Sequence, residues 1–219
     1  MPGSTPRPGG PPPKPPGLLL LHAGPEATAK WAPGGLAEVV VAEASGWSLV
    51  VPTSPSSAAT APYDDAMTML LNRPLPHRLR PAIGFAVRGR RAVIAVTPGG
   101  WRAVRRWLVW EPGTALTHPP GLPVGRLSDL VGAAHVDDPS ALGALADVLH
   151  DPAGTARDLL GDILVALDLP GGSVLDGSTP ALELPGAHVV EPSARDVRRF
   201  DRMAHEDSSW RDEMEGQHP

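Results

Sequence analysis

Two runs of β-branched and apolar residues, each doubling back at a short glycine-bearing turn, most restrict how this chain can fold. The first runs over 38–41, turns at Ala44-Ser45-Gly46 and returns over 47–51. The second runs over 83–87, turns around Arg88-Gly89-Arg90 and returns over 92–96. Such pairs are hairpin signatures, because glycine reaches the positive φ angles that tight turns demand. Residues 18–22 and 108–110 predict further strands.

The segment between the hairpins has helical spacing. Tyr63, Ala66, Met67, Leu70 and Leu71 fall on one face and predict a helix over 62–73. Asp64 and Asp65 lie in its first turn, Arg73 lies in its last, and Pro74 stops it. After Gly121 the pattern becomes helical throughout. Leu127, Leu130, Val131 and Ala134 predict one helix. Asp138-Pro139 opens a second, with Leu142, Leu145 and Leu149 on one side. Asp151-Pro152 opens a third, carrying Ala156, Leu159, Leu160, Ile163, Leu164 and Leu167, and Gly171-Gly172 closes it. The fold class is therefore α+β: a mostly antiparallel sheet of two hairpins plus edge strands, packed against a C-terminal helical half.

Proline and glycine total 52 of 219 residues, so part of the chain is expected to lie outside any core. We divide it into a disordered proline-rich tail at 1–17, a globular domain at 18–172 and a tail at 173–219. The globular domain is sheet-rich over 18–110 and helical over 126–169. In the last segment, Ser193 and Asp196 predict a weak helix to about His205 with Val197, Phe200 and Ala204 as its stripe. Residues 206–219, with five acids, are expected to be disordered. Cysteine is absent, which excludes disulfides, thiolate metal sites and cysteine nucleophiles. No apolar run reaches the ~20 residues of a membrane span, so a cytoplasmic protein without membrane contact is expected. The bias of 17 arginines against 2 lysines, with abundant Ala, Gly and Pro, points to a GC-rich bacterial genome.

Charge is unevenly placed. Between Ala66 and Trp110 there are nine arginines and no acid, whereas residues 126–219 hold 18 acids against 7 arginines. Three readings follow. The acidic helices neutralise the basic sheet within the fold, the arginines meet an acidic protein partner, or they bind nucleic acid. The run 101–110 holds three tryptophans and three arginines, residue types favoured at interface hot spots. As a helix it would turn Trp101, Val104, Trp107 and Leu108 inward. As a strand, 107–110 would alternate.

No dinucleotide fingerprint, phosphate loop, nucleophile elbow or His-Glu-x-x-His helix occurs. His22 ends an apolar strand before Gly24-Pro25. His135 stands near Asp137 and Asp138, which are already explained as helix caps. No catalytic, cofactor-binding or metal-binding residue is predicted. The leading expectation is a non-enzymatic interaction domain, adaptor or regulatory in kind, with an unknown and acidic protein partner. Its candidate surface comprises Trp101, Arg102, Arg105, Arg106, Trp110, Arg88, Arg90 and Arg91. The alternatives are a nucleic-acid-associated protein using the arginines of 73–106, and an enzyme whose site is assembled from distant residues.

Overall fold

The computed structural model describes residues 14–215, with side chains as far as residue 206. The proline-rich stretch 1–13 and residues 216–219 lie outside that range. In chain order the elements are β1 (Gly17–Leu21), α1 (Pro25–Trp31), β2 (Val39–Ala44), β3 (Trp47–Pro52), α2 (Ala66–Asn72), β4 (Ala82–Arg88), β5 (Arg91–Thr97), β6 (Arg106–Glu111), β7 (Ala115–Thr117), α3 (Leu127–Ala133), α4 (Ser140–His150), α5 (Ala156–Ala166), α6 (Gly172–Leu175), β8 (His188–Val190) and α7 (Ala194–Glu215).

Both expected hairpins form. Ser45 and Gly46, each at positive φ, link β2 to β3, and Gly89 with Arg90 links β4 to β5. Strand β1 lies between the two hairpins and pairs with β3 on one side and β4 on the other. The result is one eight-stranded sheet in the order β7-β6-β5-β4-β1-β3-β2-β8, antiparallel at every named pair. The architecture is α+β.

Strand alternation sends side chains to two opposite cores. Leu18, Leu20, Leu49, Ile83, Phe85, Ile94 and Trp110 point to one face, where they meet Leu130, Leu145, Leu149, Leu160 and Ile163 of α3, α4 and α5. Leu19, Leu21, Val41, Val50 and Ala82 point to the other, where they meet Trp31 of α1 and Met67, Leu70 and Leu71 of α2. The sheet is thus covered by the C-terminal helices on one side, as expected, and by two short N-terminal helices on the other.

Several boundaries differ from the sequence expectation. Helix α2 begins at Ala66 and not at Pro62, because the Asp65 carboxylate accepts the Thr68 N–H at 2.6 Å and fixes the cap there. Helix α5 begins at Ala156 and not after Asp151-Pro152. Its start is a capping box, in which the Thr155 hydroxyl accepts the Asp158 N–H and the Asp158 carboxylate accepts the Thr155 N–H. It ends at Ala166, and two residues on Asp168 takes the left-handed conformation at φ 48°, with Leu169 N–H returning to the Leu164 carbonyl at 2.8 Å. Gly171, expected to close α5, precedes α6 instead. Leu142, expected inside, is exposed, and Ala141 takes its place on the buried face of α4. Helix α1 and strands β7 and β8 were not foreseen, and α7 continues through Glu215. Among the described residues no helix is long and apolar enough to cross a membrane.

One ion pair locks the sheet to α3. The Arg106 guanidinium donates to both Asp129 oxygens at 2.7 and 2.8 Å, and Asp129 also accepts the Arg126 N–H at 2.7 Å. Burial opposes the charged form of Asp129, but these donors outweigh it and hold the carboxyl below the ordinary range. Asp65 is likewise lowered against its burial, by Arg88 and Thr68. A carboxyl lowered by folding adds stability in full above the unfolded-state value near ~4. That contribution disappears as pH falls through the lower folded value. Denaturation series from pH 6 to pH 2 should therefore show stability falling below about pH 4. In Asp129→Asn the fall should be shallower, on a baseline about 1–2 kcal/mol lower at pH 7. A slope identical to wild type would show that Asp129 does not carry this linkage.

Candidate functional site

The ends of β1 and β5, the starts of β3, β4 and β6, and the C-terminus of α3 gather at one end of the sheet, as their pairings and ring contacts require. The arginines here are satisfied mainly by backbone carbonyls. Arg73 donates to the carbonyls of Trp31 and Ala32, and its guanidinium carbon stands 3.9 Å from the centroid of the Trp31 ring. Arg80 donates twice to the Leu75 carbonyl, at 2.7 and 3.0 Å, and once to the Gly100 carbonyl at 3.2 Å. Arg105 donates to the Arg73 carbonyl at 2.7 Å and to the Thr97 hydroxyl at 3.2 Å. Burial lowers both Arg73 and Arg105, Arg73 to about 10, and both remain charged at neutral pH.

These contacts pin the base of the loop between β5 and β6 through Gly100 and Arg105. At its tip Trp101 is 85% exposed and Val104 59% exposed. The inward helical packing expected of Trp101 and Val104 is therefore corrected, since 101–105 is a loop and the strand begins at Arg106. Within β6 the residues alternate, with Trp110 and Leu108 in the core under α3–α5 and Trp107 on the opposite face.

The eight residues of the candidate surface do not share one face. Trp101 and Arg102 are exposed on the loop, and Arg105 lies beneath them. Arg106 is engaged by Asp129. Arg88, Arg90 and Arg91 lie at the opposite end of β5, where Arg88 pairs with Asp65 and Arg91 with Glu111. Trp110 is fully buried and donates through Nε1 to the Asp151 carbonyl at 3.0 Å, so it is a core residue and not a contact. Among the described residues, only Arg106–Asp129 joins the arginine-rich stretch to the acidic helices as an ion pair.

Two other features lie on these elements. His22, just beyond β1, and His135, just beyond α3, bring their rings to 4.4 Å between centroids, with the Trp47 ring 5.1 Å from His22. Burial and the neighbouring His135 both lower His22, favouring its neutral form. No third His, Asp or Glu joins them in a metal-holding group among the described residues. Asp138, considered beside His135 from the sequence, accepts instead from the Ser140 N–H and hydroxyl at the start of α4. The second feature is a cavity of about 350 Å³ between α2 and α7, lined by Leu36, Met69, Arg73, Asp196, Phe200 and Met203 among others.

The sequence singled out each histidine alone and had no signal to join them, since they stand 113 positions apart. No family model, curated protein or solved structure matches this chain.

Proposed function

We propose that this domain is a non-enzymatic interaction module that takes an acidic protein segment on the loop between β5 and β6. The observation that supports this reading is Trp101, the most exposed large apolar side chain among the described residues, held on a loop whose base is tied by Arg80 and Arg105. A large apolar side chain kept in water by a pinned backbone gains by being covered, and an already ordered loop loses little freedom on binding. Tryptophan and arginine are the residue types that dominate interface energies. Arg102 stands next to Trp101 in solvent, and the chain from Ala66 to Trp110 contains no acid to repel a carboxylate-bearing partner. A cytoplasmic setting belongs to the same reading and rests on composition.

Selection from a displayed peptide library on the full chain tests it. The selected peptides should be enriched in Asp and Glu around an aromatic or aliphatic anchor. Their affinity should fall at least about tenfold in Trp101→Ala, as expected for a hot spot worth about 2 kcal/mol or more. Arg102→Glu should weaken the same peptides, while the stability of both variants stays within about 0.5 kcal/mol of wild type. A selected set without acidic bias, or one retained by Trp101→Ala, would overturn the reading. Binding of single-stranded oligonucleotides alone, with a steep salt dependence, would move it to nucleic acid.

A further inference from the structure

The histidine pair is not used by the interaction loop, and three observations about it converge. First, His135 occupies the position after the C-terminus of α3 in left-handed conformation at φ 57°, with Val136 N–H returning to the Val131 carbonyl. That position is the usual place of glycine, and a side chain with a Cβ is strained there. Ser45, Ala115 and Asp168 adopt the same region elsewhere, so the conformation alone marks no site. Here its effect is to bring the imidazole against His22, across from the helical layer to the sheet.

Second, the ring nitrogens of His22 and His135 make no hydrogen bond to any described protein group. His150 and His188, by contrast, each engage a local backbone carbonyl through Nδ1. Both members of the pair are solvent-accessible, so their nitrogens are open to an external ligand. Third, the spacing is informative. With metal–nitrogen bonds of ~2.0–2.1 Å, two imidazoles on one ion place their centroids about 4.5 Å apart at a right angle and about 5 Å apart at the tetrahedral angle. The observed centroid separation is 4.4 Å with the rings tilted by 47°, near enough for one ion to reach a nitrogen of each. Imidazole is a favoured donor for Cu(II), Ni(II) and Zn(II), and the affinity of such a site for divalent ions peaks at Cu(II).

We propose that His22 and His135 form a two-imidazole site for a divalent late-transition-metal ion, Cu(II) foremost, with water in the remaining positions. The ion would bridge the end of β1 to the end of α3 and so clamp the α3–α5 layer to the sheet. Because it would bind the folded arrangement only, it would raise the melting temperature with ligand concentration.

The full chain, freed of metal, is titrated with CuCl2, NiCl2 and ZnCl2 separately, reading stoichiometry by calorimetry and melting temperature by scanning. One equivalent of Cu(II) at micromolar concentration is expected to raise the melting temperature, and Ni(II) and Zn(II) less. Copper should also quench tryptophan emission, and Trp47→Phe should remove most of that quenching, because Trp47 touches the pair. His22→Ala should lose at least tenfold in affinity. His135→Gly should do the same, and because glycine suits its backbone, its metal-free melting temperature should be equal to or above wild type. His188→Ala should bind as wild type does. Unchanged copper affinity in His135→Gly, loss confined to His188→Ala, or no melting shift with any ion up to 1 mM, about a thousandfold above the expected range, would each overturn the proposal.

Discussion

Trp110→Ala is expected to cost about 3–5 kcal/mol of folding stability, the range for removing a large buried aromatic. For a chain of this size that corresponds to a fall of roughly 6–20 °C in melting temperature. The indole fills the core between β6 and the C-terminal helices with no solvent exposure. Its Nε1 also donates to the Asp151 carbonyl in the loop joining α4 to α5. Truncation therefore removes packing and leaves a carbonyl without that donor. Trp110→Phe separates the two, and should lose only about 1–3 kcal/mol, chiefly from the hydrogen bond and the smaller ring. Trp101→Ala, nine residues away in sequence, should change stability by less than about 0.5 kcal/mol. Urea denaturation of the three variants checks this ordering, and a Trp110→Ala loss below about 1 kcal/mol would contradict the core assignment.

The contrast between Trp101 and Trp110 also shows how far a sequence like this can be read. The hairpins were legible because turn chemistry and strand alternation agree at Ser45-Gly46 and at Gly89. The run 101–110 was not, because β6 is covered on both faces. Trp107 packs against one core, Leu108 and Trp110 lie in the other, and Val109 is buried as well, so neither a period of two nor one of 3.6 stands out. The start of α5 was legible in principle. Thr155 with Asp158 is a capping signature, but the preceding Asp151-Pro152 drew the boundary four residues early. The end of α5 was hidden, since Asp168 takes a left-handed position that Gly171-Gly172 advertised more strongly.

The fate of the arginines was illegible for a different reason. A charge count sees carboxylates, and the acid-free stretch from Ala66 to Trp110 suggested that its cations needed acidic partners elsewhere. In the fold, Arg73, Arg80 and Arg105 take backbone carbonyls, which no count of ionisable groups records. A guanidinium has five donors in a fixed fork and can serve two loops at once. Loops that lack regular hydrogen bonds of their own are what such a group can order. The loop between β5 and β6 and the segment 73–80 thus owe their shape to the same residues that make the region look like a free cationic surface.

Arg73→Lys should therefore be about as damaging as Arg73→Met, with each losing about 2–4 kcal/mol. Arg73 lies beside Gly34 and Gly35, where an added Cβ would stand 2.8 and 3.0 Å from its terminal nitrogens, so the backbone itself is the floor of the guanidinium site. From there it reaches the carbonyls of Trp31 and Ala32 and stacks on the Trp31 ring, with Asp196 of α7 raising its otherwise lowered pKa. Methionine keeps much of the volume but leaves the Trp31 carbonyl without this donor. Lysine keeps the charge in the same desolvated place, but as a point donor without the planar stack, so the desolvation cost remains while the fork is lost. If charge alone held this corner, lysine would restore it and methionine would not. Equilibrium denaturation decides between these accounts, and Arg73→Lys within about 0.5 kcal/mol of wild type would mean that the fork and the stack contribute nothing. Arg105 donates to the Arg73 carbonyl, so both variants should also increase proteolytic cleavage in the loop that carries Trp101, which limited proteolysis reads directly.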